Sequence, residues 1–278
     1  MKENDLLKNN KEHKKKVKEI VKLNKPHKGV NKQEHKLNDN EIIKLVNVEK
    51  YLTNGYSYEH VLKGIDLTIY KGEFVVIVGP SGSGKTTLLT ILSALDRPSK
   101  GECIMFNKNT IGLSTSKLTK IRAEHVGYIF QQYGLLPDLS VEDNVKIATK
   151  IKSENRDKNF DINELLQTVG MLEHKDKKAS NLSGGQSQRV AICRALVKNP
   201  EILFGDEPTG AIHIDAAKQV MKTFADINQK HKTTVVIVTH NNSIVEMADR
   251  VIKIDSGKIK ENYINKNKKT VDEINWEI

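Results

Sequence analysis

Three short segments of this chain carry residue types and spacings suited to phosphate chemistry. Gly79-Pro80-Ser81-Gly82-Ser83-Gly84-Lys85-Thr86 has the pattern G-x-x-x-x-G-K-[ST] of a phosphate-binding loop. Its glycines let backbone N–H groups face phosphate oxygens without a Cβ in the way. In such a loop Lys85 reaches the β- and γ-phosphates, and the Thr86 hydroxyl ligates Mg²⁺. Ile202-Leu203-Phe204-Gly205-Asp206-Glu207 is an apolar run ending in two adjacent carboxylates. Asp206 suits a metal-bound water, and Glu207 suits polarisation of an attacking water. Leu182-Ser183-Gly184-Gly185-Gln186 is a second glycine-rich signature. It has no work to do in a lone nucleotide site, so it implies that another subunit completes the site.

The elements that must position these groups are also legible. Phe74 to Val78 is short, apolar and rich in β-branched residues, as a buried strand is. Thr86 to Leu95 reads as a helix, whose N-terminus adds a partial positive charge beside the loop. Strand, glycine loop and helix form the context the first motif requires. Taken singly, the loop could be an idle Gly/Ser turn and Asp206-Glu207 a solvated acidic strand end. Their presence in one chain, each after a buried strand, argues against both.

From about Ile42 to Lys260 the chain resembles the nucleotide-binding subunits of ABC transporters. The phosphate loop, Phe130-Gln131, the signature at 182–186, Asp206-Glu207 and Val238-Thr239-His240 occur in that family's order. The run from Gln131 to Val145 and Asp206-Glu207-Pro208-Thr209-Gly210-Ala211 resemble the lipoprotein-releasing, macrolide- and peptide-exporting branch. The resemblance implies an α/β fold: a P-loop NTPase (RecA-like) core, an antiparallel β-subdomain and a helical subdomain at about 132–182. It implies ATP and Mg²⁺ as cofactors, with a nucleotide set running from Gly79 to Thr87. Tyr51 matches the aromatic that stacks on adenine, with Tyr56 and Tyr58 as competitors. Gln131 would touch Mg²⁺ and sense a permease, and His240 would contact the γ-phosphate and the attacking water. Ser183, Gly184, Gly185 and Gln186 would bind the γ-phosphate held by the opposite subunit, from a helix spanning Gln186 to Val197. One motif departs from the pattern. After Gly210 the family reads small, Leu, Asp, where this chain has Ala211-Ile212-His213 and an aspartate only at Asp215. Drift or a shifted turn using Asp215 is the preferred reading of that change; altered coupling between the two ATP sites, or pairing with a different subunit that supplies the usual aspartate, is the alternative.

Composition bounds the rest. Lys and Arg number 45 against 35 Asp and Glu, a formal net charge of +10. Residues 1–40 hold 12 lysines and 6 carboxylates, and no aromatic residue. Leu6, Leu7, Val17, Ile20, Val21 and Leu23 suggest a weak amphipathic helix before Pro26. A disordered tail, a tether to anionic lipid and a nucleic-acid patch compete for this segment, the first being preferred. Residues 261–278 read as a second polar tail, with Trp276 available to dock. The domain proper is thus expected at 41–260. No apolar run approaches the ~20 residues of a membrane span, and no signal peptide is visible. The expectation is a cytoplasmic subunit held at the inner face of the membrane by a permease, paired with a second ATP-binding subunit and without nucleic acid. Cys103 and Cys193 form no disulfide framework or zinc pattern. The resemblance implies hydrolysis of ATP that powers export or mechanotransmission. The alternative is a non-transport ATPase governing cell-envelope or division machinery through a permease-like partner.

Overall fold

The structure is a computed structural model that describes residues 3–25, 36–150, 160–210 and 212–276. Helix α1 spans Glu3–Leu23, and strands β1 (Glu41–Thr53) and β2 (Tyr58–Tyr70) follow as a long antiparallel hairpin. After β3 (Phe74–Val78) and α2 (Lys85–Leu92) come β4 (Lys100–Met105) and β5 (Lys108–Asn109). Then follow α3 (Thr115–His125), β6 (Val126–Ile129), α4 (Val141–Thr149), α5 (Ile162–Thr168) and α6 (Gly184–Leu196). The chain continues with β7 (Ile202–Asp206), α7 (Ile214–His231), β8 (Thr234–Thr239), β9 (Arg250–Asp255) and β10 (Lys258–Ile264).

Two sheets result. One is antiparallel, in the order β2-β1-β4-β5. The other runs β10-β9-β3-β8-β7-β6 and is parallel from β9 to β6, with β10 antiparallel at its edge. The central strands are apolar on both faces because both faces are covered. Alternation along β3 sends Phe74, Val76 and Val78 into one core and Val75 and Ile77 into the other. The first core is closed by α6, α7 and the helices between Gln131 and the signature. The second is closed by α2 and the antiparallel sheet. Along α7, Ala217, Val220, Met221, Phe224 and Ile227 are buried at helical spacing.

Between Gln131 and the signature, Ser140-Val141-Glu142-Asp143 and Asp161-Ile162-Asn163-Glu164 read in the sequence as helix starts with capping residues, and both helices form there. Ser140 accepts the Asp143 amide at 3.0 Å and Asp161 accepts that of Glu164 at 2.9 Å, so both short polar side chains act as N-caps. Cys193 is a buried residue of α6, and burial pushes its thiol and that of Cys103 up.

Both ends of the chain correct the sequence reading. The segment read as a solvated tail begins with α1, which lays Val17 and Ile20 onto the rest of the molecule, each 3% exposed. His13 stacks on Tyr58 at 5.8 Å, and Asn24 donates to the Tyr51 carbonyl at 2.9 Å. The weak apolar stripe suffices because the hairpin β1–β2 supplies the complementary surface. The second tail likewise packs: β10 reaches Ile264, and Val271, Ile274 and Trp276 are buried in the first core.

Candidate functional site

The carboxyl ends of five parallel strands meet at one edge, where open α/β sheets bind ligands. Val78 pairs with Thr239, Val238 with Asp206, and Gly205 with Ile129. That register alone brings the phosphate loop, His240, Asp206-Glu207 and Phe130-Gln131 to adjacent exits.

The phosphate loop is shaped by close backbone approach. A Cβ at Gly79 would lie 2.0 Å from the Ile254 carbonyl oxygen, so only glycine fits there. Gly84 sits at φ +100° and caps α2 without any side-chain hydrogen bond, leaving the first-turn amides of Lys85, Thr86 and Thr87 without a side-chain cap. The Ser83 hydroxyl is buried and unpartnered. Lys85 is buried, and its ammonium donates to the carbonyls of Gly79 at 2.8 Å and Pro80 at 2.9 Å. Pro80, Ser81 and Gly82 form the exposed crest. Free amides, a helix N-terminus, an orphan hydroxyl and a desolvated cation fit an anionic phosphate chain.

Asp206 stands beside this loop. The Thr86 hydroxyl donates to it at 3.3 Å and the Tyr128 hydroxyl at 3.4 Å. Burial holds its carboxyl above the ordinary range, opposed by those two hydrogen bonds. A hydroxyl and one carboxylate beside a phosphate cradle fit Mg²⁺, which keeps several waters and takes few protein ligands. Glu207 adopts φ +49°, and its amide donates to Val238 O at 2.9 Å. This turn swings its carboxylate to His240, with Oε2 2.9 Å from Nδ1 and accepting the His240 amide at 3.3 Å. The Glu207 side chain is 14% exposed and that of His240 67%, so a shielded carboxylate meets a solvent-facing imidazole. Gln131 is exposed just past β6. Its loop is tied to α6 by Arg194, which donates to Gly134 O at 2.6 Å and Tyr133 O at 2.8 Å.

The signature forms the N-terminus of α6, two residues earlier than expected. Ser183 is its N-cap in a capping box: its hydroxyl accepts the Gln186 amide at 3.3 Å, and the Gln186 side chain accepts the Ser183 amide at 3.0 Å. Gly185 is buried against α7, where a Cβ would come within 2.6 Å of Ala216 Cβ. Ser183 is exposed, and among the described residues no hydrogen bond links 183–186 to the phosphate loop of the same chain. In the departing motif, His213 N-caps α7 and lies 3.7 Å from Asp215, both about four-fifths exposed. Ala211 falls outside the described residues.

Tyr51, the residue expected to stack on adenine, is engaged by its own neighbours. Its ring stacks on His60 at 4.1 Å with the Lys100 ammonium 5.5 Å from its centroid, and its hydroxyl donates to Glu49 at 2.7 Å. Burial and that bond push the phenol up to about 12. The exposed apolar neighbour is Leu52, at 44%. Tyr56 is 87% exposed at the hairpin tip, and Tyr58 is covered by His13.

Sequence reasoning missed three supports. Tyr128 holds Asp206, and Arg194 holds the Gln131 loop. Gly257 accepts from Lys63 and donates to Ser83 O at 3.0 Å, bracing the phosphate loop from the β9–β10 turn. Asp255-Ser256-Gly257-Lys258 reads as a turn in the sequence, but its contact with residues far away in the chain leaves no local pattern.

Comparison with known proteins agrees with this geometry. The family model described as "ABC transporter" matches residues 62–210. A putative ABC transporter ATP-binding protein of Mycoplasma pneumoniae is 49% identical over 95% of this chain and 92% of its own length. The lipoprotein-releasing system ATP-binding protein LolD 1 of Rhodopseudomonas palustris is 38% identical over 79% of this chain and 98% of its own. The macrolide export ATP-binding/permease protein MacB of Haemophilus ducreyi is 44% identical over 78% of this chain, which spans only 31% of that longer protein. A dimeric ATP-binding cassette solved in a post-hydrolysis state with ADP and phosphate superposes with a TM-score of 0.73 at 35% identity, covering 81% of this chain and 99% of that one. The chain belongs to the ABC transporter family, as an ATP-hydrolysing cassette of the lipoprotein-releasing and macrolide-exporting branch.

Proposed function

We propose that two copies of this chain close around two ATP molecules, each held by the phosphate loop of one copy and Ser183–Gln186 of the other. The observation that carries this reading is the exposed N-terminus of α6. It is a helix end of anion-binding character to which, among the described residues, no phosphate-loop residue of its own chain is hydrogen-bonded. Lys85 trades its two carbonyl partners for β- and γ-phosphate oxygens, with the loop from Gly79 to Thr87 around them and the first-turn amides of Lys85, Thr86 and Thr87 facing them. Thr86, Asp206 and Gln131 would hold Mg²⁺, which when bound neutralises charge developing on the phosphates. Glu207 takes a proton from the attacking water, whose oxygen bonds to the γ-phosphorus as the bond to ADP breaks. His240 aligns Glu207 and donates to the γ-phosphate. The base receives least support: Tyr51 reaches adenine only with the ring face turned from His60, so the phosphates carry most of the affinity.

Closure of the pair drives a separate membrane permease of the export or mechanotransmitting kind. A groove of about 550 Å³ beside Gln131, floored by Ala148 and Ala195 and edged by exposed Leu95, Phe130 and Ile147, offers a docking face for it. Burial pushes the Lys198 ammonium in this groove down to about 8. Among the described residues no helix is long and apolar enough to cross a membrane.

Mixing two inactive variants tests the shared site. Lys85→Ala removes the only cation of the phosphate loop, and Ser183→Arg blocks closure onto the opposite phosphate. A mixed dimer places both lesions in one site and leaves the other intact. Recovery of about a quarter of wild-type turnover, the statistical yield of one good site in half of the dimers, is expected if dimers form by simple mass action. Full activity of Ser183→Arg alone would contradict the reading.

A further inference from the structure

The only tryptophan of the chain lies at its far end, after every motif described above. Past β10 the backbone turns back onto the segment that follows His240. Asn265 donates to Asp249 O at 2.8 Å through its amide and to Glu246 O at 3.1 Å through its side chain. The Lys269 amide donates to Glu246 O at 2.9 Å, and Lys268 pairs with Asp249 at 2.8 Å. A capping box of Thr270 and Glu273 then folds the chain into a single 3₁₀ turn. Trp276 is 8% exposed, and its indole N–H donates to Val271 O at 3.0 Å, so its polar edge is satisfied and the rest of the ring is free to pack.

The ring forms one wall of a cavity of about 150 Å³. The other walls include Thr209, Gly210 and Ile212 from the loop after Glu207, Ile214 and Ala217 from the start of α7, and Thr239, His240 and Asn241 from the end of β8 and the loop after it. The two loops whose ends carry the Glu207–His240 pair therefore share one aromatic support. The pair needs it. Among the described residues the His240 ring is held only by its close contact with Glu207, Nδ1 lying 2.9 Å from Oε2, and Glu207 itself has a backbone φ of +49°. The phosphate loop contributes nothing to this cavity.

We propose that Trp276 is a positioning residue for hydrolysis: it props the loops bearing His213 and His240 and so keeps the imidazole against Glu207. The proposal rests on the reading of Glu207 and His240 as the hydrolytic pair. It separates turnover from binding, because shortening the side chain opens the cavity beneath those loops while the phosphate cradle is left untouched.

The test uses the full chain. Trp276→Ala should lower kcat about tenfold, as misplacement away from the chemistry does. Its affinity for a fluorescent ATP analogue should stay within about twofold. Trp276→Phe keeps a ring of similar reach and should restore kcat to within about twofold of wild type. Because the chain has one tryptophan, a Glu207→Gln variant reports on the same contact: adding ATP should shift its emission as the loops close. Normal kcat in Trp276→Ala, or equal losses of kcat and affinity, would overturn the proposal. If Trp276→Ala fails to fold, the emission decides: an unmoved spectrum on ATP-induced dimerisation also overturns it. The two readings fail separately. Hydrolysis by Glu207→Gln strikes at the base assignment, whereas normal hydrolysis by Trp276→Ala beside an inactive Glu207→Gln strikes only at the tryptophan.

Discussion

Asp206 shows what the site costs the fold. Its carboxyl is pushed up by burial, against the pull of the Thr86 and Tyr128 hydroxyls. A raised folded-state pKa means that ionisation opposes folding, so this destabilisation grows as pH rises through the carboxylate range and is absent where the group is protonated in both states. Asp206→Asn should therefore raise the melting temperature of the ligand-free protein at neutral pH, with a gain that shrinks as the pH falls toward 4. The same variant should lose Mg²⁺-dependent hydrolysis. Thermal melts at two pH values check the sign, and a lower melting temperature at neutral pH would contradict it. At this scale the sequence was most informative. Lys85, Thr86, Asp206 and Glu207 could be given expected roles because the chemistry of phosphates prescribes residue types at fixed offsets, whereas His240 was reached only through the resemblance. Tyr51 could not be placed in the same way. An aromatic residue in a hairpin has two faces to choose between, and the pairing with His60 that settles one of them comes from the neighbouring strand.

Among the elements, α6 links the signature to the rest of the machinery. Its N-terminus carries Ser183–Gln186, its flank rests on α7 through Gly185, and its Arg194 holds the loop after Gln131. The contact at Gly185 leaves no room for a methyl group, since the facing atom is the Cβ of Ala216 on a rigid helix. Gly185→Ala should push the two helices apart and destabilise the fold by about 1–3 kcal/mol, as overpacking does. Turnover should fall further than stability explains, because the signature is carried out of register with the opposite site. Chemical denaturation and ATPase assays on one preparation separate the two effects; unchanged stability would refute the packing argument. The strands and the capped helix starts were legible because period and caps are local. The docking of α1 and of residues 265–276 was not. Val17 and Ile20, or Val271, Ile274 and Trp276, are too few apolar residues to mark a buried element among so many lysines and asparagines. What buries them is surface supplied by distant parts of the chain.

For the whole molecule, the parallel sheet converts sequence order into a site. Five strands end at one edge, and the turns leaving them carry every group expected to meet phosphate or water except the signature. That arrangement was foreseeable only through the resemblance to known cassettes, because strand order is not written in any local pattern. On the proposed reading a single chain holds an incomplete site, and the half that would complete the site of a second copy is exposed at the N-terminus of α6. Glu207→Gln tests that claim most directly, since it removes the water-polarising carboxylate and leaves Lys85, Thr86 and the signature intact. With ATP present, size-exclusion chromatography with light scattering should show a stable dimer, while turnover falls about 100-fold or more. A variant that stays monomeric at saturating ATP, or that hydrolyses at nearly the wild-type rate, would contradict the account.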